Sequence, residues 1–396
     1  MIRFFGQRRI YMDYASAPPV LPEALRAMRE AEDLVGNPGA IHREGVEAKR
    51  ALESARERIA RILEVKPQSI VFTSGLTEAN DLAIIGAARS IERTRRSLHG
   101  THWIVSAIEH SSVLESFAEI ERLGGTVTHL SPDTRGLIMA EAVARALKAE
   151  TVFLSIGWGN NEIGTIQPLR EISHVITAHE KAHKTRILFH SDAGQAPLYA
   201  PTLFNSLGID LLSLGSNKLY GPHGIGALCI SAHAEIAPIL FGGPQERRLR
   251  PGTENAALAA GFAAAFERVA AERKTEEKRL REIRDDLAKH IRAVVPDAEI
   301  NGDLTFAMPH MLNMSIPNIS PEYLTLALDH EGIAVSTKSA CREGEESRSH
   351  AVEALGGEEW RAAHTLRLSL GRDSRPADVE RVVHALKKTL SRASGV

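Results

Sequence analysis

Thr151-Val-Phe-Leu-Ser-Ile-Gly-Trp-Gly-Asn-Asn-Glu-Ile-Gly-Thr-Ile-Gln-Pro-Leu-Arg-Glu-Ile-Ser-His-Val-Ile-Thr-Ala-His179 decides the fold. A short apolar run over 151–156 predicts a strand, a polar turn follows at Asn160, Asn161 and Glu162, and a helix is expected over 169–179. The same unit repeats on either side. Strands are expected over 103–107, 126–130 and 186–190, with helices over 113–123 and 140–147 between them. Such alternation predicts an α/β fold with a mainly parallel sheet covered by helices on both faces, an architecture whose ligands collect at the carboxyl ends of the strands.

Working upstream, a strand over 69–73 leads into Ser74-Gly-Leu-Thr77, a glycine among hydroxyl residues at a strand-to-helix junction. Free backbone N–H groups and a positive dipole end suit a phosphate there, although plain N-capping by Ser74 or Thr77 explains the same residues. Further back come a short strand over 10–14, a helix over 23–33, and a helix over 42–63 with Val46, Ala51, Ala55, Ile59 and Ile62 on one face. Downstream, apolar runs over 211–214 and 225–230 bracket Lys218, with glycines at 221, 224 and 226. A lysine framed in this way is partly withdrawn from water, which favours the neutral amine needed of a nucleophile. On that stretch alone, a surface lysine beside a glycine turn is the simpler account.

The strand ends then collect complementary groups: Ser74 and Thr77, Glu109 and His110, Asn160 to Glu162, Asp192 and Gln195, and Lys218. Beyond a polar loop over 242–255, a helix is expected over 256–294, its charged half, 272–286, reading as a solvated face. The remaining residues read as α+β, with strands over 310–316, 334–336 and 365–369. With 48 basic and 50 acidic residues among 396, a net charge of -2 leaves no electrostatic footprint for nucleic acid or an anionic membrane. Two cysteines, Cys229 and Cys341, cannot build a disulfide framework and suit a reducing compartment, so a cytoplasmic protein is expected. No membrane span is expected, and the first nine residues lack the apolar core of a secretory signal. No residue is assigned to a metal.

A lysine, a carboxylate, a histidine, amides and a phosphate cradle are together what pyridoxal 5'-phosphate (PLP) requires of a protein: a lysine imine, and an acid opposite the pyridine nitrogen. The chain also resembles the class V aminotransferases of the fold type I PLP enzymes and, within them, the cysteine desulfurases of the NifS/IscS kind. The likeness extends from Tyr11 to about Leu390 through ordered motifs: Tyr11-Met-Asp-Tyr-Ala, Gly36-Asn-Pro, Phe72-Thr-Ser-Gly-Leu-Thr-Glu-Ala-Asn80, Glu109-His110, Asn160-Asn-Glu-Ile-Gly164, Asp192-Ala-Gly-Gln195, Lys218-Leu-Tyr-Gly-Pro222, Arg250-Pro-Gly-Thr253, Ser339-Ala-Cys341 and Arg367-Leu-Ser-Leu-Gly-Arg372.

The resemblance implies a large PLP-binding domain, residues 13–257, built on a mainly parallel seven-stranded sheet. It also implies a smaller α+β domain from residues 1–12 and 258–396. Carried onto this chain, Lys218 would hold the cofactor and move protons, Asp192 would pair with the ring nitrogen, and His110 would stack on the ring and act as an acid-base group. Without the resemblance, a capping or core role would serve for that histidine. Gln195 and Asn161 would hydrogen-bond around the ring, and Gly75, Leu76, Thr77 and Ser216 would meet the phosphate. Thr253 would arrive there from a second subunit of a homodimer. Arg367, otherwise readable as a surface ion-pair residue, would bind the substrate carboxylate together with Asn161.

Cys341 would receive sulfur from L-cysteine as a persulfide, release alanine, and pass the sulfur to an acceptor or scaffold protein. It lies in a polar, glycine-containing segment expected to be exposed and mobile, where Lys338 and Arg342 favour the thiolate and Glu343, Glu345 and Glu346 oppose it. Cys229, in an apolar run, reads instead as an inert core thiol. The chain departs from the family at Asn217, where a histidine usually precedes the lysine, and at Gly215, Lys338 and Arg348. A selenocysteine lyase, a small-substrate aminotransferase or lyase, and a non-catalytic sulfur-transfer scaffold remain the alternative readings.

Overall fold

The computed structural model describes residues 3–4, 7–337 and 348–393. The strand-turn-helix units condense into one seven-stranded sheet of β1 (Ile70–Thr73), β2 (His102–Ser106), β3 (Thr126–Leu130), β4 (Thr151–Ser155), β5 (Leu188–Asp192), β6 (Leu211–Gly215) and β7 (Gly226–Ile230). Its spatial order is β1-β7-β6-β5-β4-β2-β3. β7 runs antiparallel to β1 and β6, and the other neighbours pair in parallel.

Successive strand residues feed opposite faces, as the pleat requires. Trp103 and Val105 join one apolar cluster with Phe117 and Phe153, while Ile104 joins a second with Leu154 and Phe189. Because both faces are covered, β2, β4, β5, β6 and β7 are buried along their length and need near-continuous apolar runs. Edge strand β3 instead exposes Thr126 and His129.

The strand expected over 186–190 starts two residues later. Arg186 is drawn to Glu180 and Asp210, and Ile187 N–H donates to Glu180 Oε1 at 2.7 Å, which removes it from the ladder. The shift makes Asp192 the last residue of β5.

A second, antiparallel sheet contains β8 (Glu299–Ile300), β9 (Met311–Ser315) and β10 (Thr365–Ser369). The strand expected over 10–14 shortens to Ile10–Tyr11, pairing in parallel with Ile333–Ala334, before the chain turns toward the main sheet. Helix Ala256–Val294 connects the two regions, with Asn255 Oδ1 accepting from Leu258 N–H as its cap. Its apolar stripe (Phe262, Phe266, Leu280, Ile283, Leu287) belongs to the same continuous cluster as Met311, Met314 and Leu366.

The expected solvated face over 272–286 holds for Lys274, Lys278, Glu282 and Asp286, which are exposed, but not for Glu272, Arg279 and Arg284. Arg284 is 2% exposed and donates to the carbonyls of Ala307 and Met308. Arg279 donates to Ser374 O at 2.6 Å, and Glu272 pairs with Arg372. Arg279 and Arg284 fasten backbone that the apolar stripe alone cannot satisfy. Among the described residues, no helix is long and apolar enough to cross a membrane.

Candidate active site

A cavity of about 420 Å³ opens at the carboxyl ends of the parallel strands, where the fold directs ligands. It is lined by nearly all of the candidate residues: Gly75, Leu76, Thr77, His110, Asn161, Asp192, Gln195, Lys218 and Arg367.

At one end, helix Leu76–Arg95 begins at Gly75 with no side-chain cap. Neither Ser74 nor Thr77 caps it, Gly75, Leu76 and Thr77 line the cavity, and a Cβ placed on Gly75 would meet nothing within 4 Å. Gly226 is needed beneath it, because a Cβ there would lie 2.6 Å from the Gly75 carbonyl carbon. An open helix N-terminus of this kind suits a phosphate.

Asp192 accepts from Gly194 N–H at 2.8 Å through Oδ1 and from Asn80 Nδ2 at 2.7 Å through Oδ2. Asn80 also donates to Ser112 Oγ at 2.9 Å, which in turn meets His110 Nδ1 at 2.9 Å. His110 caps helix Ser111–Arg122, with Nδ1 accepting from Ser112 N–H at 3.1 Å. The neutral ring therefore carries its proton on Nε2. The capping role and the site role are compatible, since the cap fixes the tautomer of a ring that also lines the cavity.

Lys218 sits on the short turn Ser216–Leu219 after β6, half-buried, and donates from Nζ to Ala15 O at 3.0 Å and Ser16 O at 2.7 Å. Gln195 Nε2 reaches the same Ala15 carbonyl at 2.8 Å, while its Oε1 is buried with no hydrogen-bond partner among the described residues. Arg367, 1% exposed, donates to Asn161 O (2.9 Å), Asp13 Oδ1 (2.9 Å) and Ser16 Oγ (2.7 Å). Those bonds use three of its five donors, and Nε has no partner among the described residues. The segment Asp13 to Ser16 therefore holds both cations, a role that the sequence signalled only through the motif Tyr11-Met-Asp-Tyr-Ala.

Glu109 is a further lining residue without a prior role. Its Oε1 accepts from Gly157 N–H at 2.8 Å. Burial, and then the charge of Asp192, pushes its carboxyl up to about 8 against the opposing effect of that N–H. A carboxyl that binds its proton more tightly folded than unfolded contributes stability at low pH, and that contribution is lost as pH rises through about 8. The melting temperature of Glu109→Gln relative to the native chain should therefore climb between about pH 5 and about pH 9 in cofactor-free protein. A difference flat in pH would overturn this assignment.

Ser216 and Thr253 are not among the residues that line the cavity. Ser216 does not line the cavity: it is fully buried, with Oγ packed against Gly221, where a Cβ would come within 2.2 Å. The turn that presents Lys218 points this side chain the other way. Thr253 is exposed and borders an adjoining groove, lined also by Arg250, that shares Ser74 and Gly224 with the cavity. Cys341 and Lys338 lie outside the described residues, and Arg348 pairs with Glu359 at the surface. Cys229 is fully buried in the core, and burial pushes its thiol well above the ordinary range. Asn217, His223 and Gly224 also line the cavity, so the departure at Asn217 faces the ligand space.

The residues fit PLP. Leu76, Asp192 and Lys218 converge on Gly194, where a Cβ would stand 2.7, 3.2 and 3.9 Å from their side chains. The uncapped helix offers N–H donors, and Gln195 Oε1 offers an unused buried acceptor.

Residues 10–382 match the family described as Aminotransferase class-V. The cysteine desulfurase IscS of Dictyoglomus turgidum is 36% identical over 387 residues, 98% of this chain and 95% of that protein. A solved NifS-like protein has a TM-score of 0.88 at 30% identity, covering 97% of this chain and 100% of that one. SspA in complex with cysteine has a TM-score of 0.76 at 32% identity, covering 91% and 98%. With matches of this length and a cavity whose groups suit the family's cofactor, the chain belongs to the aminotransferase class-V family.

Proposed function

We propose that this chain is a PLP-dependent cysteine desulfurase, converting L-cysteine to L-alanine and transferring the sulfur to Cys341 as a persulfide. The observation that carries the reading is the convergence of Lys218, Asp192, His110, Gln195 and Arg367 on one cavity whose far end is an uncapped helix N-terminus. Near-full-length similarity to a named cysteine desulfurase, and to a structure solved with cysteine, supports the choice of reaction and substrate.

Asp192, Gln195, Asn161 and His110 would hold the ring of PLP, and Gly75, Leu76 and Thr77 its phosphate. When bound, PLP supplies an electron sink for charge developing at the substrate Cα. Lys218 takes the Cα proton and returns protons, held in place by the Ala15 and Ser16 carbonyls. Asp192, held by Gly194 and Asn80, would pair with the ring nitrogen. Arg367 binds the substrate carboxylate through donors left over from Asn161, Asp13 and Ser16. The Cys341 thiolate attacks the substrate sulfur: the Cβ–S bond breaks, an S–S bond forms, and Cβ gains the electron pair and a proton to become the methyl of alanine. A protein acceptor then takes the outer sulfur.

The exposure of Thr253, which does not line the cavity of its own chain, supports a homodimer in which it completes the phosphate end of the neighbouring cavity. We place residues 13–257 in a large domain and the rest in a small one, in a cytoplasmic protein whose thiol chemistry needs a reducing compartment. The test is to mix PLP-loaded protein with L-cysteine, assay alanine against pyruvate, and weigh the peptide bearing Cys341. Equimolar alanine and one added sulfur are expected, and pyruvate without added sulfur would overturn the reading.

A further inference from the structure

Three residues near the cavity have no part in the reaction described above. Glu162 is 2% exposed, yet its Oε2 accepts from Ser349 Oγ at 2.5 Å and its Oε1 lies 3.8 Å from His350 Nδ1. The other nitrogen of that ring, Nε2, lies 2.9 Å from the backbone carbonyl of Glu109, next to His110. Ser349 Oγ also accepts from Val352 N–H at 3.1 Å, capping the short helix His350–Ala354. Around this polar contact, Ala351, Val352 and Leu355 pack with Ile108 and Ile163 in a small apolar cluster of their own.

The receiving side is rigidly built. Asn160 Oδ1 accepts from the N–H groups of Glu162 (2.9 Å) and Ile163 (2.8 Å), while its Nδ2 donates to Ile108 O at 2.7 Å. Asn313 Nδ2 donates to Glu162 O at 3.2 Å. Burying a carboxylate to fasten a five-residue helix adds little stability over an apolar contact of the same size, since desolvation offsets most of the gain. What a short directional bond does supply is a fixed position.

The position matters because of what the chain carries just before it. Ser349 is the eighth residue after Cys341, and the chain on the other side is tied to the site as well. Ser336 exchanges backbone hydrogen bonds with Arg367 at 2.7 and 3.1 Å, and Thr337 O accepts from Thr365 Oγ1 at 2.7 Å. Of the two ties, the one at Ser349 and His350 meets the backbone next to His110, through His350 Nε2 and the Glu109 carbonyl.

We propose that Glu162, Ser349 and His350 are positioning residues for the sulfur-transfer step, fixing residues 349 and 350, eight and nine positions after Cys341, against the turn that carries His110. They act on formation of the S–S bond and leave cofactor binding and Cα proton removal alone. This inference rests on the desulfurase reading. The test is rapid mixing of PLP-loaded native, Glu162→Ala, Glu162→Gln and Ser349→Ala proteins with L-cysteine. Two readouts are followed: the change in cofactor absorbance on substrate addition, and the appearance of added sulfur on Cys341 by mass.

Glu162→Ala and Ser349→Ala should keep native PLP affinity and a native absorbance change while sulfur arrives about 10-fold more slowly or worse, the loss typical of a hydrogen bond to a charged group. Glu162→Gln, which keeps an acceptor for Ser349, should recover most of that rate. Equal slowing of both readouts, or native behaviour in both, overturns the proposal. Should Glu162→Ala fail to fold, Ser349→Ala decides by the same split. If the native protein itself never gains sulfur on Cys341, the desulfurase reading falls, and this inference with it.

Discussion

Cys341→Ser should abolish sulfur transfer, lowering alanine formation from L-cysteine by about 10³-fold or more, while cofactor content and absorbance stay native. The reaction needs an atom that attacks sulfur and then carries it. A thiolate is accessible near neutral pH because an unperturbed cysteine titrates at about 8.5, whereas a serine hydroxyl stays protonated and is a poor partner for sulfur. Cys229 cannot substitute. It is fully buried on β7, and burial pushes its thiol far from the thiolate form. The variant is checked by alanine release and by the mass of the peptide spanning position 341. Sustained alanine formation would remove Cys341 from the mechanism.

Lys218→Ala carries the second large effect. Its amine is placed by two carbonyls, Ala15 O and Ser16 O, and by a turn that projects it from the end of β6 into the cavity. On the proposed mechanism, alanine would delete both the covalent attachment of the cofactor and the group that moves the Cα proton, so turnover should fall by at least about 10²–10⁴-fold, the range of general acid-base catalysis alone. PLP should still bind, through Asp192, Gln195 and the helix that starts at Leu76, but should dialyse away more readily. A small primary amine added in solution should restore a measurable part of the proton transfer. Native turnover in this variant would show that another base serves the site, and His110 or His223, both lining the cavity, would be the next to test.

Much of the site could be read from the chain because its groups sit at predictable places. A parallel α/β sheet gathers the loops at the carboxyl ends of its strands, so identifying strands and helices in alternation was enough to bring His110, Asn161, Asp192 and Lys218 into one region. Side-chain direction and charge placement were not legible in the same way. Ser216 is adjacent in sequence to the lysine turn, yet the backbone aims its Oγ at Gly221. The charged half of helix Ala256–Val294 looks solvated from composition, but Arg279 and Arg284 satisfy carbonyls of segments far away in sequence. Glu109 gave no sign of its raised pKa, since desolvation is a property of the packed interior rather than of neighbours along the chain.

The amino-acid sequence by itself determined the strand-helix alternation, the family, and the residue types that suit PLP and sulfur chemistry. Local pattern and ordered motifs are enough for those. Only the tertiary structure decided that Asp13, Ala15 and Ser16 reach across to hold Lys218 and Arg367, and that the helix at Leu76 is left uncapped toward the cavity. Only it joined Glu162 to Ser349 and His350, 187 residues apart for the serine. Those contacts depend on how the two sheets pack around the long helix, and no periodicity or spacing along the chain encodes which distant carbonyl a side chain will meet.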